Sequence, residues 1–113
     1  METPRAIAQP LPDELVELIA GRFSALADPT RIRLLDRLTS GEATVGELCD
    51  AVGTTRQNVS KQMLLLLAAG LVRRRRQGNF VYYRVAGPEV TELCATVCAS
   101  LRATAGAVLA AAS

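Results

Sequence analysis

Apolar positions recur at helical spacing in five stretches of the chain and alternate in a sixth. Leu15, Leu18, Ile19, Phe23 and Leu26 form the first stripe, behind Pro12 at the first helical turn and Asp13, Glu14 and Glu17 at the positive end of the helix dipole. The stripe is broad for a lone surface helix and predicts cover on more than one side. Asp28-Pro29 reads as an N-cap followed by a first helical proline, and Ile32, Leu34, Leu35 and Leu38 then run to a stop at Ser40-Gly41. Val45, Leu48 and Val52 make a short third helix over Thr44 to Ala51. Gly53 breaks it, and Thr54 or Thr55 can cap a fourth, whose apolar stripe is Val59, Met63 and Leu66. Two helices of this length joined by a glycine turn are a helix-turn-helix signature.

After Gly70 the period changes. Leu71 to Arg76 and Phe80 to Val85 are two six-residue runs around Gln77-Gly78-Asn79, and the second alternates Phe80, Tyr82, Arg84 against Val81, Tyr83, Val85. The pattern predicts a β-hairpin with a three-residue loop. Alternation sends Arg73 and Arg75 to one face and Arg74 and Arg76 to the other, so the hairpin must project into solvent as a wing. Gly87-Pro88 opens the last helix, with Glu89 near its positive end and Val90, Cys94, Val97, Leu101, Ala105 and Val108 in its stripe. The last helix and the first both have more apolar surface than one copy of the chain covers, which predicts a symmetric homodimer through Leu15, Leu18, Ile19, Val90, Val97, Leu101 and Val108. The fold class is therefore mainly α with a small β-hairpin, in the order α-α-α-α-β-β-α. One domain spans 12–113 behind a loose arm over 1–11, which has no period and holds two prolines.

Charge sharpens this picture. The net value is only +2, from 13 basic and 11 acidic residues. Yet Arg56, Lys61, Arg73, Arg74, Arg75, Arg76 and Arg84 all lie between Thr54 and Arg84, with no acidic residue among them. A field that one-sided is the footprint of a phosphate-binding surface. Arg56, Gln57, Ser60 and Lys61 crowd the first turns of the fourth helix, where a recognition helix meets base edges. Arg31, Arg33 and Arg37 lie close to Asp28 and Asp36 and read as structural or surface charges. No apolar run approaches a membrane span, and Met1 begins no charged-then-apolar leader, so the cytoplasm is the expected compartment and no membrane partner is expected. With no histidine and no glycine-rich phosphate loop, catalysis has no evident centre.

The segments ALADPTRIRLLDRL (25–38), VGELCDAVGTTRQNVSKQM (45–63) and GLVRRRRQGNFVYYRV (70–85) together resemble the ArsR/SmtB family of winged helix-turn-helix repressors. The resemblance covers about Phe23 to Val85. It implies a homodimer built on first and last helices, double-stranded DNA as partner, and recognition helices in successive major grooves of a pseudo-palindromic operator, roughly 34 Å apart. It implies repression relieved by an effector, often a metal ion. Carried onto this chain, the DNA-contacting positions are Thr55, Arg56, Gln57, Asn58, Ser60, Lys61 and Gln62 on the helix, with Arg74, Arg75, Arg76, Gln77 and Asn79 on the wing. Gln57 and Asn58 suit adenine, and Arg56 or Lys61 suits guanine or phosphate.

The sensory half departs from the family. Histidine-based metal sites are excluded, and of the family's paired-cysteine motif only Cys49 is present, with Thr44 and Gly46 in place of thiols. Cys94 and Cys98, one turn apart, read first as small packing residues and second as a clamp for a thiophilic ion or a thiol-reactive effector. Asp13 and Glu17 with Glu89 and Glu92 read first as helix-start charges and second as hard-cation ligands shared across a dimer. A partner protein that senses the effector is a further alternative, and so is a non-specific architectural protein that uses the arginine wing alone.

Overall fold

The computed structural model describes residues 10–112, with side chains as far as residue 106. The loose arm expected over 1–11 lies, but for its last two residues, outside them, as does the side chain of Val108. Five helices and three short strands follow in the order α1 (Asp13–Leu26), α2 (Pro29–Leu38), β1 (Ala43–Thr44), α3 (Val45–Val52), α4 (Arg56–Ala68), β2 (Val72–Gln77), β3 (Phe80–Val85) and α5 (Pro88–Ala112). All five helices are where the periodicity puts them. Pro12 is the N-cap of α1 rather than its first residue, and its carbonyl accepts from the Leu15 and Val16 amides.

Local chemistry sets the boundaries. Asp28 caps α2 by accepting from the Arg31 amide at 3.0 Å, with Pro29 in the first turn. The α3–α4 turn is made at Gly53, whose φ of 76° places it in the left-handed region that a side chain disfavours. The wing turn differs from the expected three-residue loop. Gln77 pairs with Phe80 inside the ladder, which leaves a two-residue turn of Gly78 and Asn79. Gly78 has φ of 61° while Asn79 does not have a positive φ, the pattern of a type II′ turn that matches strand twist. The sheet also has a strand the sequence pattern did not predict. Ala43 and Thr44 pair with Tyr83 and Tyr82, giving the antiparallel order β1-β3-β2.

The core lies between α2, α3, α4 and the sheet. Leu34, Leu35 and Leu38 of α2 meet Leu48 of α3, Val59, Met63 and Leu66 of α4, and Leu71, Val72 and Tyr83 from the wing's base. Each buried leucine removed from water contributes about 1.5–3 kcal/mol. Val90 is 3% exposed and belongs to this core. It is thus corrected from a dimer contact to an anchor that seats the start of α5, because Gly87-Pro88 turns the chain back onto the sheet. Beyond that anchor the contrast is sharp. α1 buries no residue, and Leu18 and Leu101 are 70% and 62% exposed.

Candidate nucleic-acid interface

The helix-turn-helix is held by three caps. Thr44 Oγ1 accepts from the Glu47 amide at 3.2 Å, and Glu47 Oε1 accepts from the Thr44 amide at 2.9 Å, a reciprocal capping box at the start of α3. Donation from the Thr44 backbone, and then from its side chain, holds the Glu47 carboxyl below the usual carboxylate range. Gly53 donates its amide to the Cys49 carbonyl at 2.8 Å and closes α3. Thr55, expected on the DNA, spends its hydroxyl oxygen as the N-cap of α4, accepting from the Asn58 amide at 3.1 Å.

These caps aim the first turns of α4. Val59, Met63 and Leu66 face the core, and Arg56, Gln57 and Lys61 are exposed, with Ser60 half-buried. The Arg56 guanidinium lies back across α3, with Nη2 3.0 Å from where a β-carbon of Gly46 would stand. Gly46 therefore gives that side chain its room.

Asn58 and Gln62 differ from these exposed residues. Both are half-buried and their amides are engaged within the chain, so neither presents a free bidentate edge. Gln62 Oε1 accepts from Arg31 Nη1 at 2.7 Å, Gln62 Nε2 donates to Asn58 Oδ1 at 3.2 Å, and Asn58 Nδ2 donates to Thr54 Oγ1 at 3.1 Å. Arg31 also donates to the Ala25 and Ser24 carbonyls at the end of α1, at 2.6 and 3.4 Å. It supplies the cation that the last turn of α1 lacks. Thr54 and Arg31 were not among the expected site residues. The spacing of Thr54, Asn58 and Gln62, each four residues from the next, is the signal for this row in the sequence.

The wing carries its charge on both faces, as alternation requires. Tyr83 is buried, opposite Arg74 in the register, and Tyr82 lies opposite Arg75. Arg73, Arg74, Arg76, Gln77, Asn79 and Arg84 are exposed. Arg75, expected on the DNA, is engaged within the wing. Its guanidinium makes a two-pronged pair with Glu42 at 2.6 and 2.8 Å, donates to Gln77 Oε1 at 2.6 Å and lies 4.5 Å from the centroid of the Tyr82 ring. Arg75 hydrogen bonding holds the Glu42 carboxyl below its ordinary range. The pair is solvent-exposed, so its role is to orient the wing more than to stabilise it. The arginines also guard the outer edge of β2 against strand addition.

The candidate sensory residues lie on the terminal helices. Leu15, Leu18, Val97 and Leu101 are exposed and Ile19 is half-buried. An apolar groove of about 540 Å³ runs between α1, α2 and α5, lined by Phe23, Leu26, Ile32, Cys94, Val97 and Leu101 among others. Burial, and then the Asp36 charge, pushes the Cys94 thiol up, whereas Cys98 is exposed. A thiol kept protonated is a poor nucleophile and a poor metal ligand. Glu89 folds its carboxylate against Gly87 at the start of α5, in space a β-carbon would need. Among the described residues no three of His, Cys, Asp or Glu come together, so Asp13 and Glu17 do not meet Glu89 and Glu92 within one chain. No helix among the described residues is long and apolar enough to cross a membrane.

This geometry has close counterparts. A family model described as a helix-turn-helix domain matches residues 26–75. The HTH-type transcriptional regulator Rv0081 of Mycobacterium tuberculosis is 42% identical over 84 residues, 74% of this chain and 74% of its own length. Its crystal structure superposes with a TM-score of 0.79 at 36% identity, covering 87% of this chain and 99% of that one. The homodimeric winged helix-turn-helix DNA-binding domain of a possible ArsR-family regulator from Mycobacterium bovis gives a TM-score of 0.76 at 33% identity, covering 84% of this chain and 91% of that one. The nodulation protein NolR of Rhizobium meliloti is 36% identical over 88 residues, 75% of this chain and 72% of its own length. With the capped helix pair, the arginine wing and these relatives in agreement, the chain belongs to the ArsR/SmtB family of winged helix-turn-helix transcriptional regulators.

Proposed function

We propose that this regulator acts in the cytoplasm as a homodimeric repressor that reads a pseudo-palindromic DNA operator. The observation that carries the reading is the division of labour on α4, which buries Val59, Met63 and Leu66 and leaves Arg56, Gln57 and Lys61 exposed on its first turns. Those three residues, with Ser60, read bases in the major groove. Arg74 and Arg76, with Gln77 and Asn79 at the tip, hold phosphate or enter the minor groove. The dimer forms through Leu15, Leu18, Ile19, Val97, Leu101 and Val108, in keeping with the homodimeric relative and with the exposed apolar faces of α1 and α5. The role is binding rather than catalysis.

The test is fluorescence anisotropy of duplex DNA across a salt series. Replacing Arg74 and Arg76 by alanine is expected to weaken specific and scrambled duplexes alike and to flatten the salt slope by about 0.9 per lost phosphate contact. An unchanged slope would remove the wing from the interface.

A further inference from the structure

The hydrogen-bond row from Arg31 to Thr54 has a direction, and the direction has a consequence. A guanidinium only donates, so Gln62 must turn its carbonyl oxygen toward Arg31 and its amide NH₂ toward Asn58. Asn58 must then accept from Gln62 and donate to Thr54. Neither amide can flip without setting two donors or two acceptors face to face. Thr54 Oγ1 is left as an acceptor on its inner side, and among the described residues its own proton goes to no protein acceptor. Thr54 sits in the turn between α3 and α4, just ahead of the exposed Arg56 and Gln57.

We propose that Thr54 donates its hydroxyl proton to a DNA phosphate oxygen, and that Arg31 is the positioning residue that orients it through Gln62 and Asn58. A phosphate oxygen only accepts, so it completes a row in which every donor points the same way, and successive bonds in such a row polarise one another. The same guanidinium grips the Ser24 and Ala25 carbonyls, which ties the end of α1 to this contact. The inference rests on the DNA-binding reading.

The test uses the full chain and a mixed-sequence duplex of about 30 base pairs, because a phosphate contact needs no operator. Thr54→Val keeps the shape of the side chain and removes the proton. It is expected to lower affinity about fivefold to tenfold with an unchanged salt slope, since a neutral hydroxyl displaces no counterion. Thr54→Ser is expected to bind like the parent. Gln62→Met breaks the row in the middle and frees the Asn58 amide to turn, so it is expected to lose the same factor as Thr54→Val, and the double variant no more than either. Thermal unfolding is followed for each variant, and Arg31→Met provides a second break should Gln62→Met fail to fold. Parent-like binding by Thr54→Val overturns the proposal. Losses that multiply in the double variant, or a shallower salt slope for Thr54→Val, overturn it too. If the parent itself binds no duplex, the DNA-binding reading falls and takes this one with it.

Discussion

The middle of the chain and the two helices that flank it solve the same burial problem in opposite ways. From α2 to β3 every element turns an apolar face into one shared core, and Leu34, Leu48, Val59, Met63, Leu66 and Leu71 are fully buried. α1 buries nothing, and α5 is anchored by Val90 before it runs out with Val97 and Leu101 exposed. A second copy is needed only at the flanks. The DNA-reading unit is complete within one chain, whereas the terminal helices hold apolar surface that only another molecule can remove from water.

The largest effect should come from breaking the middle. Leu48→Ala leaves a cavity beneath α3 and is expected to cost about 2–5 kcal/mol, read as a lower denaturation midpoint with an unchanged slope. A charge on the flank acts differently. Leu101→Glu is expected to dissociate the dimer on analytical ultracentrifugation and to weaken operator binding by about a hundredfold, while each monomer keeps its helical signal. Retention of a tight dimer would mean that α5 is not the interface.

A third change leaves both regions folded and alters only what is read. Gln57→Ala is expected to shift the operator preference by about 1–3 kcal/mol at one base position, measured across a panel of single-base operator variants. Uniform loss across the panel would reassign Gln57 to the backbone.

The smallest effect is at the start of α3. Thr44→Ala is expected to cost about 1 kcal/mol near neutral pH. The Glu47 carboxyl of the same box is held below its ordinary value of 4.5, so its contribution is full above that value and is lost as the pH falls through the lower folded one. The gap in stability between the parent and Glu47→Ala should therefore close in acid. A gap that persists at low pH would show that the carboxylate is not what the cap uses.

How much of this was legible in the sequence depends on how local the cause is. Asp28, Pro29, Gly53 and Pro88 set helix ends through their immediate neighbours, and the pattern alone located them; for the cap of α4 the pattern offered Thr54 or Thr55, and the structure uses Thr55. Alternation likewise put Tyr82 and Tyr83 on opposite faces of the wing, and the structure shows that Tyr83 is the one on the core side. The Thr44–Glu47 box and the Gly-Asn turn were equally local, and their signals stand in the sequence unused. β1 was not legible, because a two-residue strand exists only through its pairing with β3. The bonds that engage Arg75 and Gln62 within the chain were not legible, for one reason. Their partners Glu42 and Arg31 are 33 and 31 residues away in sequence, and only the packing of α2 on α4 and of β1 on β3 brings them together. Val90 could not be told from its stripe-mates until the turn at Gly87 fixed which part of α5 touches the sheet.

The most direct test of the central claim is anisotropy of the purified protein against duplex from its own upstream region and against a scrambled duplex, at physiological salt. A sequence-specific dimeric regulator is expected to prefer the first by about a thousandfold or more. Equal, strongly salt-dependent binding to both would contradict the account and leave a basic surface that holds DNA without reading it.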